Sequence, residues 1–252
     1  MLQNFSQFLD HLPLTQSDKV TDKYMFLDTR RVIDDMADLG FMVAATRWPK
    51  SRTKDGPFGL HEVDFRRPDA PTIGDSVPRI LFHNSYDGSR KAQFSYGIFR
   101  LVCDNGLVVG NAQTFKFLHL GDYLDDLLNQ IRAMAETQGQ VFDRINDFQS
   151  ITLDPDQYYH MAEEAALLRF PDPETRPEID PKNLLQVRRD ADLGKDLWTR
   201  FNVVQENLLR GGVPIVNQKG QARLAPPVGN IERSNELNRG LWDLAERYAE
   251  AA

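Results

Sequence analysis

The sequence predicts an α+β fold: a central meandering antiparallel sheet, a long helix crossing it, and a helical C-terminal region. Three observations carry that prediction. From about residue 41 to 119, apolar and polar residues alternate with the period of strands, broken by Gly, Asp and Asn turn signals. At 122–149 the spacing changes to threes and fours. Beyond 150 the periodic stretches are all helical, separated by segments rich in Pro and Gly.

The elements follow in chain order. Residues 1–27 predict an irregular arm with Pro13 in it. A first helix is expected from Thr29 to Leu39, capped by Asp28, packed through Val32, Ile33, Met36 and Leu39, and stopped by Gly40. Strands are expected at 41–48, 60–67, 79–84, 93–103, 106–110 and 114–119. The Asn105-Gly106 pair suits the centre of a tight hairpin, where both residues need positive φ.

The stripe Leu124, Leu127, Leu128, Ile131, Met134, Val141, Ile145 and Phe148 defines the long helix. Its 28 residues would span ~42 Å, enough to cross a sheet. A further helix opens at Asp154-Pro155 and reaches Arg169. Another is expected from Asp192 to Arg210, packing Leu193, Leu197, Phe201, Val204 and Leu208. Residues 211–233 predict a loop, and Ser234 is the expected cap of a last helix. Domain limits follow: a sheet-and-helix core at 1–169, a Pro-rich acidic linker at 170–183, and a helical region at 184–252.

Composition bounds the function. With 252 residues the chain can build a full core without covalent staples. The single Cys103 excludes an internal disulfide and a Cys-rich zinc site. No apolar run approaches the ~18 residues a membrane span needs. The first residues carry no basic region of the secretory kind, so a cytoplasmic protein is expected.

The net charge of −7 is unevenly spread. Residues 40–120 hold 11 Lys+Arg against 7 Asp+Glu, whereas 121–252 hold 15 against 23. A basic middle thus precedes an acidic C-terminal half.

No phosphate-binding P-loop, dinucleotide fingerprint, nucleophile elbow, HExxH or CxxC is present. The basic residues carry more information. Arg47, Lys50, Arg52 and Lys54 surround a predicted hairpin tip beside Trp48. Arg66, Arg67, Arg90, Lys91, Arg100 and Lys116 come from neighbouring strands. Cations beside aromatic rings suit single-stranded nucleic acid, because the cations meet phosphates while the rings stack bases. A metal-dependent alternative would use His83, Asp87, Asp104 and His119. No catalytic residue, metal or cofactor is assigned.

Five segments carry a resemblance: NSYDGSR at 84–90, FRLVCDNGLVVG at 99–110, FLH at 117–119, LLQVRRDADLGKDLWTRFNVVQENLLRGG at 184–212 and LNRGLWDLAERYA at 237–249. Together they resemble the phage/plasmid-like family carrying domain of unknown function 932. The resemblance puts the family pattern on Asn84, Ser85, Asp87, Gly88, Arg100, Cys103, Asn105, Gly106, His119, Asn202, Gln205, Glu206, Gly211 and Gly212. Two departures are visible. Leu118 stands where the family often has Arg, and the loop before the last helix lacks an Arg-Gly-His stretch.

The predicted order of sheet and helix is similar to single-strand annealing proteins of phage recombination. It implies a homo-oligomer that binds and anneals single-stranded DNA. The alternative is a mobile-element protein that blocks a host defence factor through its acidic half, including residues 170–181.

Overall fold

The structure, a computed structural model, describes residues 2–21, 24–48, 56–70, 72, 76–100, 105–108, 115–116, 129 and 140–252, with backbone alone at 2–4, 96–100, 105–108 and 115–116. The chain divides into two compact units. One comprises Met1–Val102 and Asn111–Gln138, the other Cys103–Gly110 and Gly139–Ala252. The fold is α+β, with an antiparallel sheet in the first unit and packed helices in the second.

The first unit opens with helix α1 (Leu2–His11), where the sequence predicts an irregular arm. Phe5, Phe8, Leu9 and Leu12 recur at helical spacing, and Phe8 and Leu12 are buried. The helix end is closed from outside. Arg30 donates to the carbonyls of Leu9, Leu12 and Pro13, satisfying acceptors that a helix terminus leaves open. That cap lies some twenty residues away in sequence, which is why local reading misses it.

Helix α2 (Thr29–Asp38) forms as expected. The Asp28 side chain accepts from the Arg30 amide, Val32 and Met36 are buried, and Gly40 takes φ +83 after the last turn.

The sheet is built from β1 (Met42–Arg47), β2 (His61–Arg66), β3 (Ser76–Asn84) and β4 (Gln93–Arg100), each antiparallel to the next, with β6 (Phe115–Lys116) also paired to β4. A bulge interrupts the β1–β2 ladder between Val43 and Ala45. Register sorts the side chains onto two faces. Val63, Phe65, Ile80, Phe82 and Phe94 make one face apolar, and the Phe82 and Phe94 rings lie 4.6 Å apart. The other face carries Glu62, Asp64, Arg79, Leu81, His83 and Ser95, and these too are buried.

In the second unit, β5 (Asn105–Val108) runs beside the last helix. Asn105 and Gly106 open this strand rather than forming the centre of a turn, since local turn preference is a weak signal that context overrides. Residues 140–150 form helix α3, with Val141, Ile145 and Phe148 buried; Asn129, which belongs to the first unit, is also helical. The remainder of the predicted 122–149 helix lies outside the described residues.

Helix α4 (Pro155–Arg169) starts on a reciprocal capping box. Asp154 accepts from the Gln157 amide while Gln157 accepts from the Asp154 amide. Helix α5 (Leu197–Arg210) begins later than predicted. Asp196 is its cap, and Leu193 stays 66% exposed after a 3-10 turn at Asp190–Asp192.

The region expected as a loop at 211–233 holds a hairpin, β7 (Pro214–Val216) and β8 (Ala222–Leu224). Asn217 makes it by accepting from the Lys219 and Gln221 amides, with Gly220 at φ +75. Helix α6 (Ile231–Glu250) is capped by Asn230, four residues ahead of the predicted Ser234, which is buried inside the helix. Phe148, Trp198, Phe201 and Trp242 close the core of this unit, with ring centroids 5.2–6.5 Å apart.

Candidate nucleic-acid interface and the buried polar networks

The sheet register places the predicted basic residues in two groups. Arg47, Glu62, His83, Gln93 and Lys116 stand opposite one another in turn, forming one row across five strands. The Arg90-Lys91 turn adjoins this row and both residues are exposed. Arg66, Arg67 and the backbone of Arg100, which pairs with Ser76, lie toward the other end. From His83 to Ser76 is seven residues of β3, or roughly 23 Å at ~3.3 Å each.

These cations differ in what holds them. Arg47 is 42% exposed on its side chain, and its guanidinium sits 3.5 Å from the buried Glu62 carboxylate. Arg67 makes a two-point pair with Asp69 at 3.0 and 2.8 Å, and Arg66 donates to the Met42 sulfur at 3.3 Å. Arg90 donates to the Ser89 carbonyl at 2.8 Å.

Trp48 is not presented as an open stacking plate. Its ring packs 5.6 Å from Phe8 and 6.1 Å from His11. Lys50, Arg52 and Lys54 lie outside the described residues, and of Arg100 and Lys116 only the backbone is described.

Beneath the exposed cations runs an ionic network that the sequence pattern alone does not reveal. His83 Nε2 meets Glu62 at 2.6 Å, and Arg79 donates to Asp64 at 2.7 Å. Burial drives the Asp64 carboxyl up to about 7 against the pull of Arg79, and one of its oxygens accepts no hydrogen bond. The available signal was alternation: Glu62 and Asp64 share a strand face, as do Arg79 and His83. Their charge patterns are complementary once the strands are paired.

On the opposite face His61 is pushed down to about 4 by burial. Its Nε2 lies 2.7 Å from Thr29 Oγ1, and its Nδ1 lies 3.2 Å from the Gly59 carbonyl. A neutral ring is therefore the form this site holds.

The metal alternative finds little support in the described geometry. Asp87 accepts from the Ser89 amide, and His83 is bonded to Glu62. Asp104 and His119 fall outside the described residues. Among the described residues no group of three His, Cys, Asp or Glu side chains could hold a metal ion. No helix among them is long and apolar enough to cross a membrane.

Comparison with known proteins gives the chain a family. The model of the domain of unknown function DUF932 matches residues 17–242. The chain belongs to the DUF932 family. It is 32% identical over 234 residues to the UPF0380 proteins YfjQ and YafZ of Escherichia coli (strain K12), covering 90% of this chain and 82% of each relative. No solved structure matches it.

The side chains of segment 84–90 are occupied with internal bonds. Asn84 donates to the Leu27 carbonyl at 2.9 Å and to Thr29 Oγ1 at 3.2 Å, and accepts from the Ser85 amide. Ser85 Oγ takes the Arg90 amide and gives to the Arg90 carbonyl. Tyr86 accepts from the Thr29 amide through its hydroxyl, while Tyr24 donates to the Ser85 carbonyl. Gly88 adopts φ +71, with Val20 3.1 Å from where a Cβ would stand. This segment fastens Ser17, Tyr24, Leu27 and Thr29 onto the end of the sheet.

The polar residues of α5 work similarly in the second unit. Asn207 donates to the carbonyls of Leu184 and Gln186 and accepts from Arg188. Gln205 donates to Asn238 at 2.8 Å. Glu206 is buried, which alone would raise its pKa, yet Arg189 and Arg210 hold it below the usual carboxylate range. Asn202 donates to the Trp198 carbonyl one turn back. Gly211 takes φ +68 at the end of α5, and an added Cβ would stand 2.4 Å from the Ala225 carbonyl oxygen. Of the other motif positions, Asn105 and Gly106 are described only as backbone of β5.

Proposed function

We propose that this protein binds single-stranded nucleic acid through the first unit and anneals it as a homo-oligomer. The observation that carries this reading is the placement of cations, exposed except for the half-buried Arg66, at both ends of one antiparallel sheet. Arg66 and Arg67 stand toward one end, Arg90 and Lys91 with Arg47 toward the other. A strand laid between these groups would meet phosphate-binding charge at two places rather than at a single hairpin tip. The excess of 11 Lys+Arg over 7 Asp+Glu in residues 40–120 gives that surface its sign, and the acidic remainder of the chain opposes unspecific duplex binding.

Arg47 serves partly to neutralise Glu62, and the exposed Arg90-Lys91 turn adds its charge beside it. Trp48, packed on Phe8, supports the row rather than stacking a base. Light scattering with a fluorescent single-stranded oligonucleotide tests the assembly: a defined homo-oligomer whose mass includes the oligonucleotide supports the reading. A monomer that leaves the oligonucleotide free at low salt contradicts it.

A further inference from the structure

The second unit contains a cation that its fold does not neutralise. Arg169, the last residue of α4, is 8% exposed, and its Nη1 has no hydrogen-bond partner. Its Nη2 donates to the Pro226 carbonyl, and the guanidinium lies 5.2 Å from the Phe170 ring. Among the described residues no carboxylate is within ion-pair distance of it. The neighbouring charge is of the same sign: burial and then Arg233 both lower the Arg169 pKa.

Arg233 is anchored by its Nη2 to the carbonyls of Leu168 and Arg169 at 2.7 and 2.9 Å, and its Nη1 faces Glu236 at 3.3 Å. It belongs to the first turn of α6, a helix of 20 residues. The N-terminal amides of such a helix point outward without intrahelical acceptors and carry the positive end of its dipole. Asn230 satisfies the Arg233 amide, leaving the Ile231 amide beyond the reach of any helical carbonyl. Just before the cap, Gly229 borders open space, since an added Cβ would meet nothing within 4 Å.

We propose that Arg169, Arg233 and the first turn of α6 hold a phosphate group. Two guanidiniums repel each other beside a positive helix end, and a dianion relieves that repulsion while satisfying Arg169 Nη1. The phosphate oxygen takes the free donor at Arg169 Nη1 and leaves the Nη2 bond to the Pro226 carbonyl in place; the open space at Gly229 lies just along the chain from Pro226. Glu232 in the first turn and Glu236 one turn on set a limit on affinity, since both carboxylates oppose an anion.

The test is a calorimetric titration of the full chain with inorganic phosphate at constant ionic strength. Wild type is expected to bind, and Arg169→Lys and Arg233→Gln to bind at least ~10-fold more weakly, the loss of one charge-assisted hydrogen bond. Gly229→Glu gives a second route that leaves both arginines in place: it sets a carboxylate in that open space and should weaken phosphate to a similar degree. Circular dichroism checks each fold. Absence of binding by wild type, or equal binding by folded variants, overturns the proposal.

Competition identifies the source of the phosphate. Displacement by a 5′-phosphorylated oligonucleotide alone assigns a terminal phosphate, and displacement by its unphosphorylated twin as well assigns the phosphodiester backbone. Displacement by neither assigns the free anion. Arg66→Glu with Arg67→Glu should leave phosphate binding unchanged, so the fate of this site is separable from that of the sheet.

Discussion

At the scale of single residues, two buried titrating groups pull stability in opposite directions. His61 has its pKa depressed to about 4, so its contribution is present above the unfolded value near 6.5 and is lost as pH falls through 4. Asp64 has its pKa raised to about 7, so its contribution is present below the unfolded value of 3.8 and is lost as pH rises through 7. Each is worth up to about 3–5 kcal/mol, at ~1.4 kcal/mol per pKa unit. Removing one should expose the other. Asp64→Asn is expected to lose stability more steeply than wild type from pH 6.5 to 4, and His61→Gln to gain stability over the same interval. Urea unfolding at several pH values measures both, and parallel profiles for the two variants and wild type would refute the assignment.

Asn84 supplies another prediction at this scale. Its side chain joins the Leu27 carbonyl and the Thr29 hydroxyl inside the protein. Asn84→Ala should therefore destabilise by ~2 kcal/mol, leaving two buried acceptors short of a donor. Oligonucleotide affinity of the folded variant should stay unchanged. A large affinity loss without a stability loss would make the residue a ligand-binding group instead of a fastener.

At the scale of elements, what could be foreseen was whatever a local signal determines. Helix α2 announced itself by Asp28, Val32, Met36 and Gly40, and α4 by Asp154-Pro155, because cap and stripe lie within one window. The strands were visible through alternation. What escaped depends on distant partners. Helix α1 ends on Arg30, and the charged face of the sheet exists only when β2 and β3 are paired. The hairpin β7–β8 hides in a Gly/Pro-rich stretch because its strands have three residues each, too short for a period to show.

The resemblance singled out Asn84, Ser85, Gln205 and Glu206, while the bonds that tie Leu27, Thr29 and Arg189 to them are visible only in the structure. The end of α5 makes this testable. Gly211→Ala would force a left-handed φ on a Cβ pressed against the Ala225 carbonyl, and should cost more than ~2 kcal/mol. Gly212→Ala, at φ +75 in open space, should cost only ~1 kcal/mol. Thermal unfolding of the pair checks this, and equal losses would show that the close approach carries no weight.

At the scale of the whole molecule, the two units differ in how they use charge. In the first, carboxylates Glu62 and Asp64 are drawn inward to meet His83 and Arg79, which leaves peripheral cations on the surface. In the second, the buried Glu206 holds Arg189 inward and meets the exposed Arg210 at the surface, and exposed acids such as Asp172, Glu174, Glu178 and Asp180 remain outside. Burying pairs of one kind in each unit sharpens a polarity that the sequence counts showed only in outline.

The most direct measurement is fluorescence anisotropy of a single-stranded oligonucleotide against wild type and the fourfold variant Arg66→Glu, Arg67→Glu, Arg90→Glu, Lys91→Glu, across a salt series. Wild-type affinity is predicted to fall steeply as salt rises. The variant should bind far more weakly, with the slope of log K against log salt reduced by ~0.7 for each phosphate that is no longer neutralised. Equal affinity and equal slope for the two folded proteins would contradict a nucleic-acid-binding role for the sheet.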